Sequence, residues 1–143
     1  MKMRNSLLIL LTLFSAVTLT AQSEESQIRA ALQEYVDGSS YNNPEQITSV
    51  FYEKADLFLS KKDEELWVLT PEEYANLFKK REKGKFNGRI GKILNVDQAN
   101  NIATAKVEIS IPAENLLFID LFLLKKLEGK WKIISKAATA INP

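Results

Sequence analysis

Histidine and cysteine are both absent from this chain of 143 residues. Their absence excludes the Ser-His and Cys-His pairs of nucleophilic catalysis and the usual ligand sets of a zinc site. It also excludes disulfides, so the fold must be held together by packing alone. Carboxylates, tyrosines and lysines remain as the groups able to do chemistry. From these absences we expect no metal site and no cofactor.

A strong charge of either sign is also missing. The chain has 19 basic and 18 acidic residues, which gives a formal net charge of +1 at pH 7. Proteins that bind nucleic acid or anionic membranes usually carry a marked basic excess. We therefore expect neither nucleic acid nor a membrane as a partner of the mature protein.

The longest apolar run lies at the N-terminus. Two basic residues precede it, it spans residues 7–19, and small residues follow it up to Ala21. This layout predicts a secretory signal peptide over residues 1–21, with cleavage between Ala21 and Gln22. A membrane anchor is the alternative, but the run is shorter than the roughly 20 residues that a spanning helix needs. We predict a secreted or periplasmic protein in which residues 22–143 form a single domain.

Hydrophobic spacing predicts helices followed by strands in the mature chain. A first helix is expected over about 23–38 and a short one from Pro44. A third should begin at Thr70, which has the Thr-x-x-Glu pattern of a capping box, and run to about Lys83. The runs "ADLFLS" and "LWVL" around the charged turn "KKDEE" predict a hairpin, and the two-residue period from Arg89 onward predicts an antiparallel meander. This order is α+β, with helices on one face of a curved sheet.

One carboxylate, Asp120, interrupts the apolar run "LLFIDLFLL" over residues 116–124. As a strand, this run has an apolar face on both sides, which predicts a central position in the sheet. Asp120 shares its face with Phe118 and Phe122. Burial between two phenylalanines should favour the neutral carboxyl unless a hydrogen-bond donor reaches it.

The chain resembles a known fold family in several places. The stretches "YVDG…VFYEKADLFLS" and "FIDLFLLKKLEGKWKIISK", with the helix start "LTPEEY", are similar to the nuclear transport factor 2-like (cystatin-like) cone fold. Within it, the sequence most resembles the bacterial group labelled "putative lumazine-binding proteins", over essentially the whole mature chain. The resemblance implies N-terminal helices packed on a curved antiparallel sheet, with a pocket between them.

A more distant resemblance is to ketosteroid isomerase, a relative on the same fold. That enzyme holds an enolate oxygen with a tyrosine and a protonated aspartate, and a second carboxylate shuttles the proton. Tyr35 in "YVDG" matches the tyrosine, and Asp120 in "FIDLF" matches the aspartate. Leu59 stands where the shuttling carboxylate would fall. The resemblance therefore implies a kept donor pair without its base, which favours binding over catalysis.

The implied pocket should be mostly apolar with a few polar groups, as ligand sites usually are. Its candidate lining residues are Tyr35, Phe51, Phe58, Trp67, Tyr74, Phe78, Phe118, Asp120 and Phe122. Two alternatives stay open. For the aromatic residues, the alternative is simple core packing. For Asp120, the alternative is a buried structural acid bonded to Tyr35 or to a backbone N–H.

Two functional classes follow, with a third behind them. The first is an exported module that binds a small apolar or amphipathic ligand in the cone, with Tyr35 and Asp120 as its polar end. The second is a structural or interaction dimer with a filled cavity. The third is an isomerase-like enzyme that lacks the usual proton-shuttling carboxylate. In each class we expect a homodimer through the outer sheet face if the helices cover the Asp120 face, because exposed apolar patches mark interfaces. The outer residues of this strand are Leu117, Ile119, Leu121 and Leu123.

Overall fold

The structure is a computed structural model that describes residues 23–141. Its helices are α1 (23–40), α2 (Pro44–Val50) and α3 (Pro71–Asn76). Its strands are β1 (Phe51–Lys61), β2 (Glu64–Leu69), β3 (Ile90–Ala99), β4 (Ile102–Ile111), β5 (Leu116–Leu127) and β6 (Lys130–Ala140). The predicted signal peptide lies outside the described residues. Within the described part, no helix combines the length and hydropathy needed to cross a membrane.

The first helix is longer than predicted and the third is shorter. α1 continues to residue 40, past the glycine that was expected to end it. A Cβ at Gly38 would lie 3.0 Å from the backbone nitrogen of Ile47. This glycine therefore allows α2 to pack closely against α1 and does not end α1. The predicted capping box of α3 is present, with Thr70 and Glu73 bonded reciprocally. The expected end near Lys83 is wrong, because the chain tightens after Asn76 into turns with bonds to carbonyls three residues back.

Six strands form one sheet in the order β2-β1-β6-β5-β4-β3. The predicted hairpin and the predicted meander are both present, and all pairs within them are antiparallel. The pair that joins the two units, β1 with β6, is parallel, so the predicted antiparallel sheet contains one parallel pair. The connection from β2 to β3 passes through α3 and the following turns. It is long enough to return the chain to the other end of the sheet, so β1 and β6 can run in the same direction.

β5 is central, as predicted, and its two faces differ. The Asp120 face is buried against the helices, with Phe122 3% and Leu124 0% exposed. On the opposite face, Leu121 is 50% and Leu123 is 39% exposed. The α+β fold with helices on one sheet face is therefore confirmed, and the site must be sought on the helix side.

The position of α1 against the sheet depends on Gly91. A Cβ at Gly91 would come within 2.5 Å of a Val36 methyl group, so any larger residue would push the helix away from β3. Close approach at this point brings the inward stripe of α1, which includes Ile28, Leu32 and Tyr35, into the fully buried core.

Candidate functional site

Asp120 makes one hydrogen bond and one ion pair in the core. Its Oδ2 accepts from the Tyr35 hydroxyl at 2.9 Å and lies 3.1 Å from Lys136 Nζ. The side chains of Asp120 and Lys136 are each 2% exposed, so they form a buried ion pair. The sequence argument favoured a neutral carboxyl only if no donor reached it. Because two donors do, one of them a cation, we treat Asp120 as a carboxylate.

Tyr74 closes a ring of polar contacts that includes this pair. Its hydroxyl lies 2.9 Å from the Tyr35 hydroxyl and accepts from Lys136 Nζ at 3.3 Å. Tyr35 gives its single proton to Asp120, so the shared bond between the tyrosines must be donated by Tyr74. Lys136 Nζ also lies 4.5 Å from the centre of the Tyr74 ring, within cation–π range. Each of the four side chains thus has at least one polar partner among the other three.

Four different elements supply these side chains. Tyr35 lies on the buried stripe of α1, and Tyr74 lies one turn into α3, whose start is fixed by the capping box. Asp120 and Lys136 point inward from the adjacent strands β5 and β6. Lys136 pairs with Phe122, two residues from Asp120, so the two charged groups are diagonal neighbours on one sheet face.

The charges of this cluster shift the pKa values around it. Burial raises the pKa of Tyr35 well above its usual value, and the neighbouring Asp120 and Tyr74 raise it further. Tyr35 is therefore a donor at any physiological pH. For Arg89, burial alone would lower the pKa, but Tyr74, Tyr35 and Asp120 together raise it above its usual value. Arg89 is therefore a cation.

A cavity of about 170 Å³ borders the ring of polar contacts. Its lining residues are Leu59, Ser60, Tyr74, Arg89, Phe118, Asp120, Lys136, Ala138, Thr139 and Ala140. Tyr74, Asp120 and Lys136 are buried, whereas Ser60, Thr139 and Ala140 are exposed. The cavity therefore has a polar buried end and a rim at the protein surface.

Arg89 is the member of this lining that has an unpartnered buried nitrogen. Its Nε is buried and has no hydrogen-bond partner. Its guanidinium lies 5.7 Å from the centre of the Phe78 ring, and it forms no ion pair with any residue in the 23–141 range. A buried donor left without an acceptor is costly, so a polar atom that reached this nitrogen would offset that cost.

Residues 23–137 match the family model described as "Putative lumazine-binding". The chain belongs to this family. A search of curated proteins found no match.

Solved structures show where the family lies among known folds. One similar structure is a nuclear transport factor 2-like protein of unknown function from Silicibacter pomeroyi, with 18% identity, a TM-score of 0.74, and coverage of 84% of this chain and 98% of the other. Another, from Methylobacillus flagellatus, has 27% identity, a TM-score of 0.71, and coverage of 82% and 92%. A ketosteroid isomerase-like protein from Erwinia carotovora atroseptica has 16% identity, a TM-score of 0.62, and coverage of 82% and 96%. The predicted superfamily is confirmed.

The predicted pocket residues of this family member divide into three groups. Tyr74, Phe118 and Asp120 line the cavity. A second group lies in or against the apolar core behind the cavity and comprises Tyr35, Phe51, Trp67, Phe78 and Phe122. The third group is Phe58, for which the predicted place in the pocket is wrong. Phe58 is 36% exposed and points to the outer face, because Leu57 and Leu59 take the inward positions of β1. Whether the first group binds a ligand stays a prediction.

Sequence reasoning missed Lys136 and Arg89. Counting by twos from Trp131 and Ile133 in β6 places Ser135 inward and Lys136 outward. The pairing of β5 with β6 shifts register between Ser135 and Ile133, and this bulge turns Lys136 into the core. No comparable signal marks Arg89, which precedes β3 in an irregular segment. In residues 23–141, no three acidic side chains come together as they would in a metal site.

Proposed function

We propose that this protein binds a small apolar or amphipathic molecule in the cavity between α3 and the sheet. The observation that carries the proposal is a cavity with apolar walls whose buried end holds the Asp120–Lys136 ion pair and Tyr74. Ligand sites typically combine such walls with a few fixed polar groups. Membership of the "Putative lumazine-binding" family supports a ligand-binding domain.

An isomerase-like reaction is less well supported. Acid–base catalysis by this route needs a free carboxylate within reach of the substrate. Asp120 is the single carboxylate in the cavity lining of the described chain, and Tyr35 and Lys136 already occupy its Oδ2. Leu59 lines the cavity at the position where the resemblance expected the base. The one carboxylate of this lining is therefore already paired with a cation, which favours a role in holding a ligand over a role as a proton shuttle.

We also propose that the protein acts after export. The support is the sequence pattern of residues 1–21, with basic residues, an apolar run and small residues before Gln22. N-terminal sequencing of protein from the export compartment should begin at Gln22. A chain that retains residues 1–21 would contradict export with cleavage.

Native mass spectrometry tests the binding proposal directly. Mature protein purified without detergent should carry a reproducible extra mass. Ala138→Leu should remove that mass, because the larger side chain fills part of a cavity of about 170 Å³. Ala113→Leu is the matched control at an exposed position and should keep it. An extra mass that survives Ala138→Leu would place the ligand elsewhere, and the absence of any bound mass would favour a structural role.

We further propose a homodimer through the outer sheet face. An apolar stripe runs across the neighbouring strands of this face, where Val68 pairs with Phe58, Phe58 with Ala137, and Ala137 with Leu121. Phe58, Val68 and Leu121 are 36%, 46% and 50% exposed. A stripe of this kind marks an interface.

A second copy is the occupant that the charges favour. On the same face, Lys106 pairs with Leu121 and Glu108 pairs with Ile119, so both signs flank the stripe. A two-fold arrangement lets each sign meet its opposite. Sedimentation velocity should show a dimer that Leu121→Glu dissociates and that Leu77→Glu, a matched change at a residue 48% exposed near α3, leaves intact. A wild-type monomer at micromolar concentration would refute this proposal.

A further inference from the structure

We infer that the cavity binds a small carboxylic acid with a compact apolar body, and that the acid group pairs with Arg89. This inference rests on the proposed binding function and narrows it to one class of ligand. It is carried by the charge balance of the cavity, the unmet hydrogen-bonding needs of Arg89 and the size of the cavity.

The charge balance of the cavity favours an anion. The cavity lining contains two cations, Arg89 and Lys136, and one carboxylate, Asp120. Lys136 is neutralised by Asp120 at 3.1 Å, whereas Arg89 has no acidic partner in the described chain. One positive charge is therefore left at the wall of a partly enclosed cavity. A charge in such a place is stabilised by an ion of opposite sign more strongly than it would be in water.

Arg89 has a side chain whose shape and charge suit a carboxylate. Its Nε is buried without a partner, and the guanidinium lies over Phe78. The planar fork of an arginine matches the two oxygens of a carboxylate, which accept from it in parallel. A hydroxyl or an amide oxygen gives a single acceptor and no charge. A carboxylate is thus the group that best satisfies this side chain.

The size and the walls of the cavity limit the rest of the ligand. A cavity of about 150 Å³ in another protein accommodates benzene, and the present one measures about 170 Å³. A single ring or a short branched chain fits such a volume, but the four fused rings of a steroid do not. The remaining walls include Leu59, Phe118, Ala138 and Ala140, which suit an apolar body.

Calorimetric titration of the mature protein with three probes of one size tests the inference. The probes are benzoate, benzyl alcohol and benzylamine at pH 7. We expect benzoate to bind at least tenfold more tightly than either of the others, since a hydrogen bond to a charged group contributes about tenfold to a hundredfold in affinity. Arg89→Gln should remove this preference, so that benzoate binds no more tightly than benzyl alcohol. Arg81→Gln, the same change at an exposed arginine, should have no effect.

The outcomes separate this inference from the proposed function. If wild-type protein binds benzoate and benzyl alcohol equally, the carboxylate inference is overturned and the binding proposal stands. If none of the probes binds and the native protein carries no extra mass, both fail. Arg89→Lys keeps the charge without the fork and should bind benzoate with intermediate affinity. The selectivity of the wild-type protein decides the question even if the glutamine variant does not fold.

Discussion

The buried ion pair gives the sharpest stability prediction. Lys136 Nζ and Asp120 Oδ2 lie 3.1 Å apart, and both side chains are 2% exposed. At an effective dielectric constant of about 20, the attraction at this distance is about 5 kcal/mol. Removing both charges from water costs several kcal/mol per ion, so the net contribution of the intact pair is small. Either partner left alone in the core would meet that cost without compensation.

A double-mutant cycle measures this asymmetry. Lys136→Met and Asp120→Asn should each lower the free energy of unfolding by about 3–5 kcal/mol. The double variant buries no charge and keeps an oxygen that can accept from Tyr35, so it should be more stable than either single variant. The assay is urea denaturation, and the coupling energy is read from the four unfolding free energies.

The control for this cycle is an ion pair on the surface. Lys83 lies 2.7 Å from Glu45, which is closer than the buried pair, but both side chains are more than half exposed. Lys83→Met should therefore change stability little. Additive effects of the two core substitutions, or a loss from Lys83→Met as large as that from Lys136→Met, would refute the reasoning from burial.

Two further predictions concern Tyr35 and the position of α1. Because burial and the Asp120 carboxylate raise the pKa of folded Tyr35 well above 10, the unfolded chain ionises first, and stability should fall as the pH rises above about 10. Tyr35→Phe should flatten this alkaline decline in pH-dependent denaturation, and an unchanged decline would contradict the assignment. Gly91→Ala should cost about 1–3 kcal/mol, because its Cβ would lie 2.5 Å from a Val36 methyl group. In a Val36→Ala background this cost should shrink in thermal unfolding, and an equal cost in both backgrounds would show that the clash is not its cause.

Local sequence patterns were sufficient to predict which segments form helices and which form strands. The capping box at Thr70 marks where α3 begins, because its two hydrogen bonds depend on residues only three apart. The two-residue period of β4 gives its buried face correctly, with Ala103, Val107 and Ile109 inward. The end of α3 was missed, since nothing local distinguishes a final helical turn from the tighter turns that replace it.

Residues of the candidate site could be predicted only where side chains alternate regularly between the two faces of a strand. Asp120 sits in a regular strand, so its central, buried position follows from alternation along one run. Lys136 lies beyond a bulge in β6, and a shift of one residue exchanges the two faces of a strand. The sequence could therefore raise the question of Asp120 without naming the cation that answers it.

The sequence by itself determined the class of fold, the central strand and the pairing of Tyr35 with Asp120, whereas the signal peptide stays a prediction. These follow from spacing, composition and family resemblance, all of which are properties of the chain in order. Only the tertiary structure decided that Lys136 neutralises Asp120, that Arg89 faces the cavity without a partner, and that the cavity is small. Such features depend on a strand bulge and on residues far apart in sequence, and their energies exist only after distant elements have excluded water between them.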